Sequence, residues 1–426
     1  VAPLPKRRWD DLLSQLPAGS ILMGITTIVW RNAWKYGDPG FRYTHHDVGH
    51  LYSSLAFAAQ AQGLSVALLD SLLDDELNAL HRPDHPEDAV CLIAVYPNNA
   101  SLPQGREGDW WKRVVIGTEF WAGEPTPTYR GQEVETYYGQ DETVARPLIA
   151  AARQHSLRSE RPSPSFWGQE APYESLSPSW LTENSRMREL IHTRRSAQGY
   201  NAEAAPPGGL PTAKFYDMMR RTLHHPAWFP WAPSVQPFLF IHRVSGIDPG
   251  IYLLCRGAHC TELQKRIDPE HHHLWEPVPG CPDDIPLVLL RRGDVQNEAR
   301  LGSCVQDIAS ESAFAVAFLA EHLPKLEAHG AWWYRRAHWE ACAIGGAIYL
   351  AAGAADEGLQ ATGIGCFFAP WMQAVLGVPA PAWADVYHFT VGWPHQDRRV
   401  DVAKPPYHHV DEMPFHDRDS VSTRGK

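Results

Sequence analysis

Residues 45–50 read HHDVGH. Histidines four apart share one face of a helix, and an acid directly after the first makes the run a near-match to the H-E-x-x-H zinc signature. In that reading His46 and His50 ligate zinc, and Asp47 stands where a glutamate would act as general base. Aspartate is one methylene shorter, however, and a third ligand must come from elsewhere. The chain holds 22 histidines, so pairs at this spacing arise by chance. The competing reading is a pair of histidines hydrogen-bonding across a packed helix face. No metal is assigned.

Three further stretches carry chemical content. In HTRRSAQGY (192–200), Arg194, Arg195 and Ser196 offer a fork of charge-assisted hydrogen bonds to a phosphate or a polyhydroxy chain. The alternative is a solvated surface pair. In ATGIGCFFA (361–369), Gly363, Ile364 and Gly365 let the backbone pass close to a planar ligand and aim N–H groups at it. A tight turn between helix and strand would also explain the glycines. In VGWPHQDRRV (391–400), Arg398 and then Arg399 follow an apolar strand and can close on an anion, or lie in a solvated turn.

The elements that must position these groups show in the hydrophobic patterning. Leu181, Met187, Leu190 and Ile191 predict a helix leading into the arginines. PFLFIHRVSGIDPGIYLL (237–254) predicts two short strands about a turn. Residues 305–322 begin strand-like and become helical, and 338–357 predict a small-residue helix suited to close helix packing. An internal correspondence links 41–96 with 334–393. His45 pairs with His338, Asp47 with Glu340, Leu55 with Ile348, and Gly63 with Gly358 after a two-residue insertion. Each copy runs helix, turn, helix, and a strand ending before a proline. HHDVGH therefore opens a repeated helix whose other copy, AHWEACAIG, has no second histidine. The first copy also has SVALLD where the second has its glycines, which favours a ligand at the second copy only.

Composition bounds the rest. The chain has 426 residues, enough for two domains, with 38 basic and 49 acidic side chains and a net charge of −11. That balance argues against nucleic acid or an anionic membrane as a partner for the whole surface. No apolar run approaches the roughly 20 residues of a membrane span, and VAPLPKRRWDD shows no apolar core of a signal peptide. Seven cysteines without a C-x-x-C pair predict reduced thiols in a cytoplasmic protein. A polar Pro/Ser-rich stretch marks a linker over 136–180. It separates a first unit (1–135) from a second (181–403), and a polar tail follows (404–426).

Taken together, MRELIHTRRSAQGY, EACAIGGAIYLAA…GLQATGIGCFF and VYHFTVGWPHQDRR resemble the FMN-dependent nitroreductase superfamily. WRNAWKYGDPGFRYTHHDVGHLYSSLAFAA is similar to its SagB/ThcOx branch, the azoline dehydrogenases of peptide natural-product pathways. The resemblance covers about 20–100 and 185–403. It implies an α+β, nitroreductase-like fold in which two tandem units form a pseudo-dimer with FMN at their interface. It assigns Arg194, Arg195, Ser196 and Arg398 to the ribityl phosphate and ring, and Gly363 to Gly365 to the flavin ring near N5. A Lys35–Tyr36 pair would assist deprotonation, with Tyr334 and His338 as other candidate bases. The implied function is oxidation of a (thi)azoline-like or other modified peptide, or a related small molecule, by hydride transfer to the flavin. The alternative is a flavin-poor binding subunit that docks a precursor peptide or partner enzyme. Two departures from the pattern stand out. Only VAPLPKRRWDDLLSQLPAGS precedes residue 21, so an arginine-bearing helix and an N-P-S-S-G-N-like segment of the first unit are missing. The second unit shows WAPSVQPFLF (231–240) in place of that segment. Either the chain is a truncated form, or a homodimer or a partner polypeptide completes the first unit.

Overall fold

The computed structural model describes residues 6–81, 88–102, 110–117, 147–161, 184–223, 231–267 and 273–395. The first unit contains α1 (Lys6–Leu13), β1 (Ile21–Thr27), α2 (Val29–Tyr36), α3 (Gly40–Gln60), β2 (Leu64–Leu68), α4 (Asp74–His81) and β3 (Asp88–Pro97). Within the stretch expected as a linker lies α5 (Pro147–His155), whose Ile149 is buried beside Phe41. The second unit continues with α6 (Asn184–Thr193), α7 (Thr212–Thr222), β4 (Val235–Ile241), β5 (Gly250–Leu254), α8 (Cys260–Ile267), β6 (Glu276–Pro277) and β7 (Leu287–Arg292). It ends in α9 (Gln296–Gly302), α10 (Asp307–Ser310), β8 (Phe314–Glu321), α11 (Leu323–His329), α12 (Trp333–Ala354), β9 (Gln360–Ile364), α13 (Ala369–Leu376) and β10 (Trp383–Gly392).

Among the described residues the strands form two antiparallel sheets, ordered β1-β3-β2 and β6-β7-β5-β4-β8-β10-β9. VQPFLFI and FAVAFLAE are buried almost throughout, as continuous apolar runs are in central strands covered on both faces. The pair α3 and α12 lies between the sheets. One apolar core runs from Val66 and Ile93 of the small sheet through both helices to Leu239, Val316 and Phe389 of the large one. The large sheet's far face is covered by α8, α9 and α13, and the small sheet's by α1 and α4.

The two long helices meet as equivalents. A Cβ on Gly49 would lie 2.7 Å from the Cβ of Cys342, the residue at its own matched position. A Cβ on Gly346 would overlap the Oγ of Ser53, again its match. His45 faces Trp339 with ring centroids 6.3 Å apart, and the matched contact of His46 with His338 is 5.3 Å. Reciprocal contacts of this kind are the mark of a two-fold axis. Each unit then repeats the order helix, strand, helix, strand, with β2 antiparallel to β3 and β9 antiparallel to β10.

Three expectations are corrected. Residues 305–322 run helix first and strand second, because the Ala-rich FAVAFLAE is a central strand between β4 and β10. The turn expected after each long helix carries a short strand, β2 or β9. The thiols are not all reduced: Cys255 pairs with Cys260 and Cys304 with Cys366, while Cys91, Cys281 and Cys342 are free. The tail 404–426 lies outside the described residues.

Candidate functional site

The opening motif sits on α3 with Arg42, His46 and His50 as one stripe, four residues apart, facing the second unit. His46 Nε2 lies 2.8 Å from the Val386 carbonyl, and His50 Nε2 lies 2.8 Å from the Tyr387 hydroxyl. Asp47 points elsewhere and accepts from Asn32. The two histidines thus hydrogen-bond separately across the seam. Among the described residues no group of three or more His, Cys, Asp or Glu side chains is placed to hold a metal. Burial lowers His46, and burial together with the nearby Arg194 brings His50 down to about 4, so both rings are neutral at pH 7.

Arg194, Arg195 and Ser196 follow the last residue of α6 directly. Arg194 closes the helix, donating its N–H to the Leu190 carbonyl, and its guanidinium lies 4.4 Å over the Tyr349 ring. Ser196 Oγ is 3.0 Å from the Tyr349 hydroxyl, which also accepts the Gly363 N–H at 3.3 Å. A bridge between Ser196 and Ala361 fixes the register of these segments. Arg194 and Ser196 are exposed, and Arg195 is half-buried with its guanidinium turned back on the His192 and Arg194 carbonyls. Two cations and a hydroxyl therefore meet at the end of the strand that carries the glycines.

Gly363 and Ile364 belong to β9 rather than to a turn, and pair with Phe389 and His388 of β10. A Cβ on Gly363 would overlap the Tyr387 hydroxyl, and one on Gly365 would lie 2.9 Å from the Tyr43 ring. The missing side chains are thus required by two tyrosines of the protein itself. Arg42 crosses from the first unit and donates to the Gly365 carbonyl at 2.9 Å, with its guanidinium 4.1 Å from the Phe367 ring. Behind Phe367 stands a buried relay: His388 stacks on it at 4.8 Å and bonds Ser303 Oγ at 2.9 Å and Asp385 at 2.8 Å.

The candidate bases fall into two places. Lys35 and Tyr36 end α2 and are exposed, with the ammonium 5.0 Å from the Tyr36 ring and that ring edge-on to Tyr43 at 4.8 Å. They therefore adjoin Gly365 through Tyr43. Tyr334 and His338 lie deeper on α12, with rings 4.3 Å apart. Burial pushes the Tyr334 phenol up to about 12 and His338 down to about 3. Arg398 lies outside the described residues.

Arg42, Tyr349 and Tyr387 are site-lining groups that sequence reasoning missed. The Arg42–His46–His50 spacing was the available signal, since one stripe on a helix must face one partner. The donor set of Arg194, Arg195 and Ser196 fits the phosphate end of a flavin. The glycine strand offers its backbone edge, but its side-chain space is taken by Tyr387 and Tyr43.

No family model and no curated protein sequence matches the chain. Solved structures do. A nitroreductase-family protein from Anabaena variabilis superposes with a TM-score of 0.58 at 20% identity, over 88% of this chain and 69% of that one. The E. coli microcin synthetase complex with a truncated pro-microcin bound gives a TM-score of 0.32 at 11% identity, over 49% of this chain and 70% of that one. The NADPH:FMN oxidoreductase from Vibrio harveyi gives 0.30 at 14%, over 54% and 78%. The last two scores are too low to argue from, and the first speaks to architecture. The chain has the α+β nitroreductase-like fold, built as two units around a paired-helix seam.

Proposed function

We propose that the protein is an FMN-dependent oxidoreductase of the SagB/ThcOx type, acting on a (thi)azoline-like or other modified peptide or a related small molecule. The observation that carries this reading is the convergence of Arg194, Ser196, Tyr349 and the Gly363 backbone at the seam, on a nitroreductase-like fold. FMN, when bound, supplies the hydride acceptor. Arg194 and Arg195 would neutralise its phosphate, and Ser196 would hydrogen-bond its ribityl chain. Arg42 holds the Gly365 end of the strand in place, and Tyr43 and Phe367 exclude water there. Lys35 and Tyr36 are the better placed base pair, because they are exposed beside Tyr43. Tyr334 and His338 are buried with affinities shifted away from neutrality, the wrong direction for a base working near pH 7.

Among the described residues the first unit contributes a three-stranded sheet and the second a seven-stranded one. A second copy of the chain or a partner polypeptide is the kind of partner this reading calls for. No described helix is long and apolar enough to cross a membrane. The cytoplasmic setting expected from the cysteine pattern rested on reduced thiols, and the two disulfides remove that ground.

The second reading is a flavin-poor subunit that docks a precursor peptide or partner enzyme. It is favoured by Tyr387 and Tyr43 filling the space beside the glycines. A visible spectrum of the purified protein decides between them. Flavin absorbance, or its gain on adding FMN, is expected; a colourless protein that takes up no FMN would leave the binding subunit.

A further inference from the structure

The two disulfides of the second unit stand in different surroundings. Cys255 is wholly buried in the apolar cluster under α8, and Cys260 is half-buried. A thiol attacking Cys260 would have to expel the Cys255 thiolate into that cluster, where a charge is costly. The other bridge lies at the surface beside the glycine strand. Cys366 directly follows Gly365 and is exposed, and Cys304 is half-buried, two residues after the end of α9. A thiol attacking Cys366 expels the Cys304 thiolate at a place that water reaches.

The backbone at the leaving sulfur is strained. Cys304 and Val305 both hold positive φ, +54° and +59°. Left-handed backbone is unfavourable for a residue with a Cβ, and most so for a β-branched one. Elsewhere among the described residues a non-glycine in this region stands alone, as at Trp275 and Asp356. Two in succession, beginning at a bridged cysteine, mark a segment held in place by its surroundings. Bonds that involve no sulfur also join the two loops. Phe368 donates its N–H to the Gly302 carbonyl at 2.9 Å. The Gln306 side-chain amide donates to the Ser303 carbonyl at 2.8 Å and to the Cys366 carbonyl at 3.4 Å. Opened thiols therefore stay near each other, and the bond re-forms on oxidation.

We propose that Cys304–Cys366 is a redox-active disulfide that exchanges with an external dithiol, Cys366 Sγ being the sulfur attacked. One thiolate of the dithiol bonds to Cys366 Sγ as the Cys304–Cys366 bond breaks. The electron pair of that bond leaves on Cys304 Sγ, which takes a proton. The second thiolate then attacks the dithiol's own sulfur in this mixed disulfide, and Cys366 leaves with the electron pair and takes a proton. The dithiol becomes a disulfide and the protein a dithiol, two electrons and two protons having moved. Exposure and strain are the two properties that make a disulfide labile. Both meet at this bridge, and opening it lets 304–305 relax. Val305 and Phe368, 46% and 49% exposed, give the site an apolar rim. The exchange needs no flavin.

The test is reduction of the full, folded chain with dithiothreitol, followed by alkylation and peptide mass mapping. Cys304 and Cys366 should open at least about tenfold faster than Cys255 and Cys260. The buried free thiols Cys91 and Cys342 should stay unalkylated throughout, and oxidised dithiothreitol should restore the bond. With glutathione, a monothiol, the trapped adduct should lie on Cys366. Val305→Gly relieves the positive φ without touching sulfur. It should raise the ratio of reduced to oxidised dithiothreitol needed to open half the bonds, by about threefold or more. Opening that comes only together with alkylation of Cys91 and Cys342 would mean that the link breaks through unfolding, and would overturn the proposal. Equal rates at the two disulfides, an adduct on Cys304 alone, or an unchanged ratio in Val305→Gly would overturn it equally.

Discussion

At the scale of single residues, Arg194 does two jobs at once. Its backbone closes α6 and its guanidinium covers Tyr349, so its charge is held against an aromatic face beside Ser196. Arg194→Ala is expected to cost the purified protein most of its flavin, as FMN affinity falls on the order of tenfold or more with the loss of a charged hydrogen bond. Unchanged flavin content would remove this residue from the site. Three buried histidines, His50 and His338 at the seam and His242 beside the Ala309 carbonyl, make a second prediction. His50 and His242 are held down to about 4 and His338 to about 3, in each case chiefly by burial. Between these values and the ordinary 6.5 of an exposed imidazole, the unfolded chain takes up protons that the folded one refuses. Stability therefore rises with pH from about 4 to 6.5, each of these groups contributing up to roughly 3 kcal/mol. Urea midpoints measured across that range should climb, and His242→Asn should flatten the climb; a flat wild-type profile would contradict the burial of these rings.

At the scale of elements, the helix pair is set by residues without bulk. Gly346 lets Ser53 sit against the α12 backbone, and Gly49 does the reverse against Trp339 and Cys342. Gly346→Ala should destabilise by about 1–3 kcal/mol through overpacking. Ser53→Gly should restore much of it, so the double mutant is expected to lose less than the two single losses combined. Additive losses would mean that the helices do not touch there. These helices were legible from sequence because small residues recur along them and because the two copies align. The strand β9 was not, since five residues after a glycine carry too little alternation to separate strand from turn. FAVAFLAE was misread for a related reason. Its alanines favour a helix locally, and only pairing with β4 and β10 makes it a central strand. The site was half legible for the same cause. Arg194 to Ser196 form one local run, whereas Arg42, Tyr349 and Tyr387 become neighbours of that run only after the sheets and helices pack.

At the scale of the molecule, one covalent link ties the second unit together beside the glycine strand. Cys304–Cys366 joins the end of α9 to the residue after Gly365, closing 62 residues of chain. Loop-closure entropy assigns such a link about 4 kcal/mol. The paired Cys304→Ser, Cys366→Ser variant should lose stability on that order by urea denaturation, and equal stability with and without reductant would show that the thiols are not joined in solution. The seam has a further consequence, in time rather than in energy. Arg42 reaches the Gly365 carbonyl across 323 residues of sequence, and His50 reaches Tyr387 across 337. A ribosome adding roughly 5–20 residues per second releases the first half of this site tens of seconds before the second half exists. During that interval the second-unit partners of the α3 stripe, Arg42, His46 and His50, have not yet been made. Whatever waits beside the nascent protein, whether chaperone or sister chain, meets that stripe first, and the final strand must displace it before the site can close.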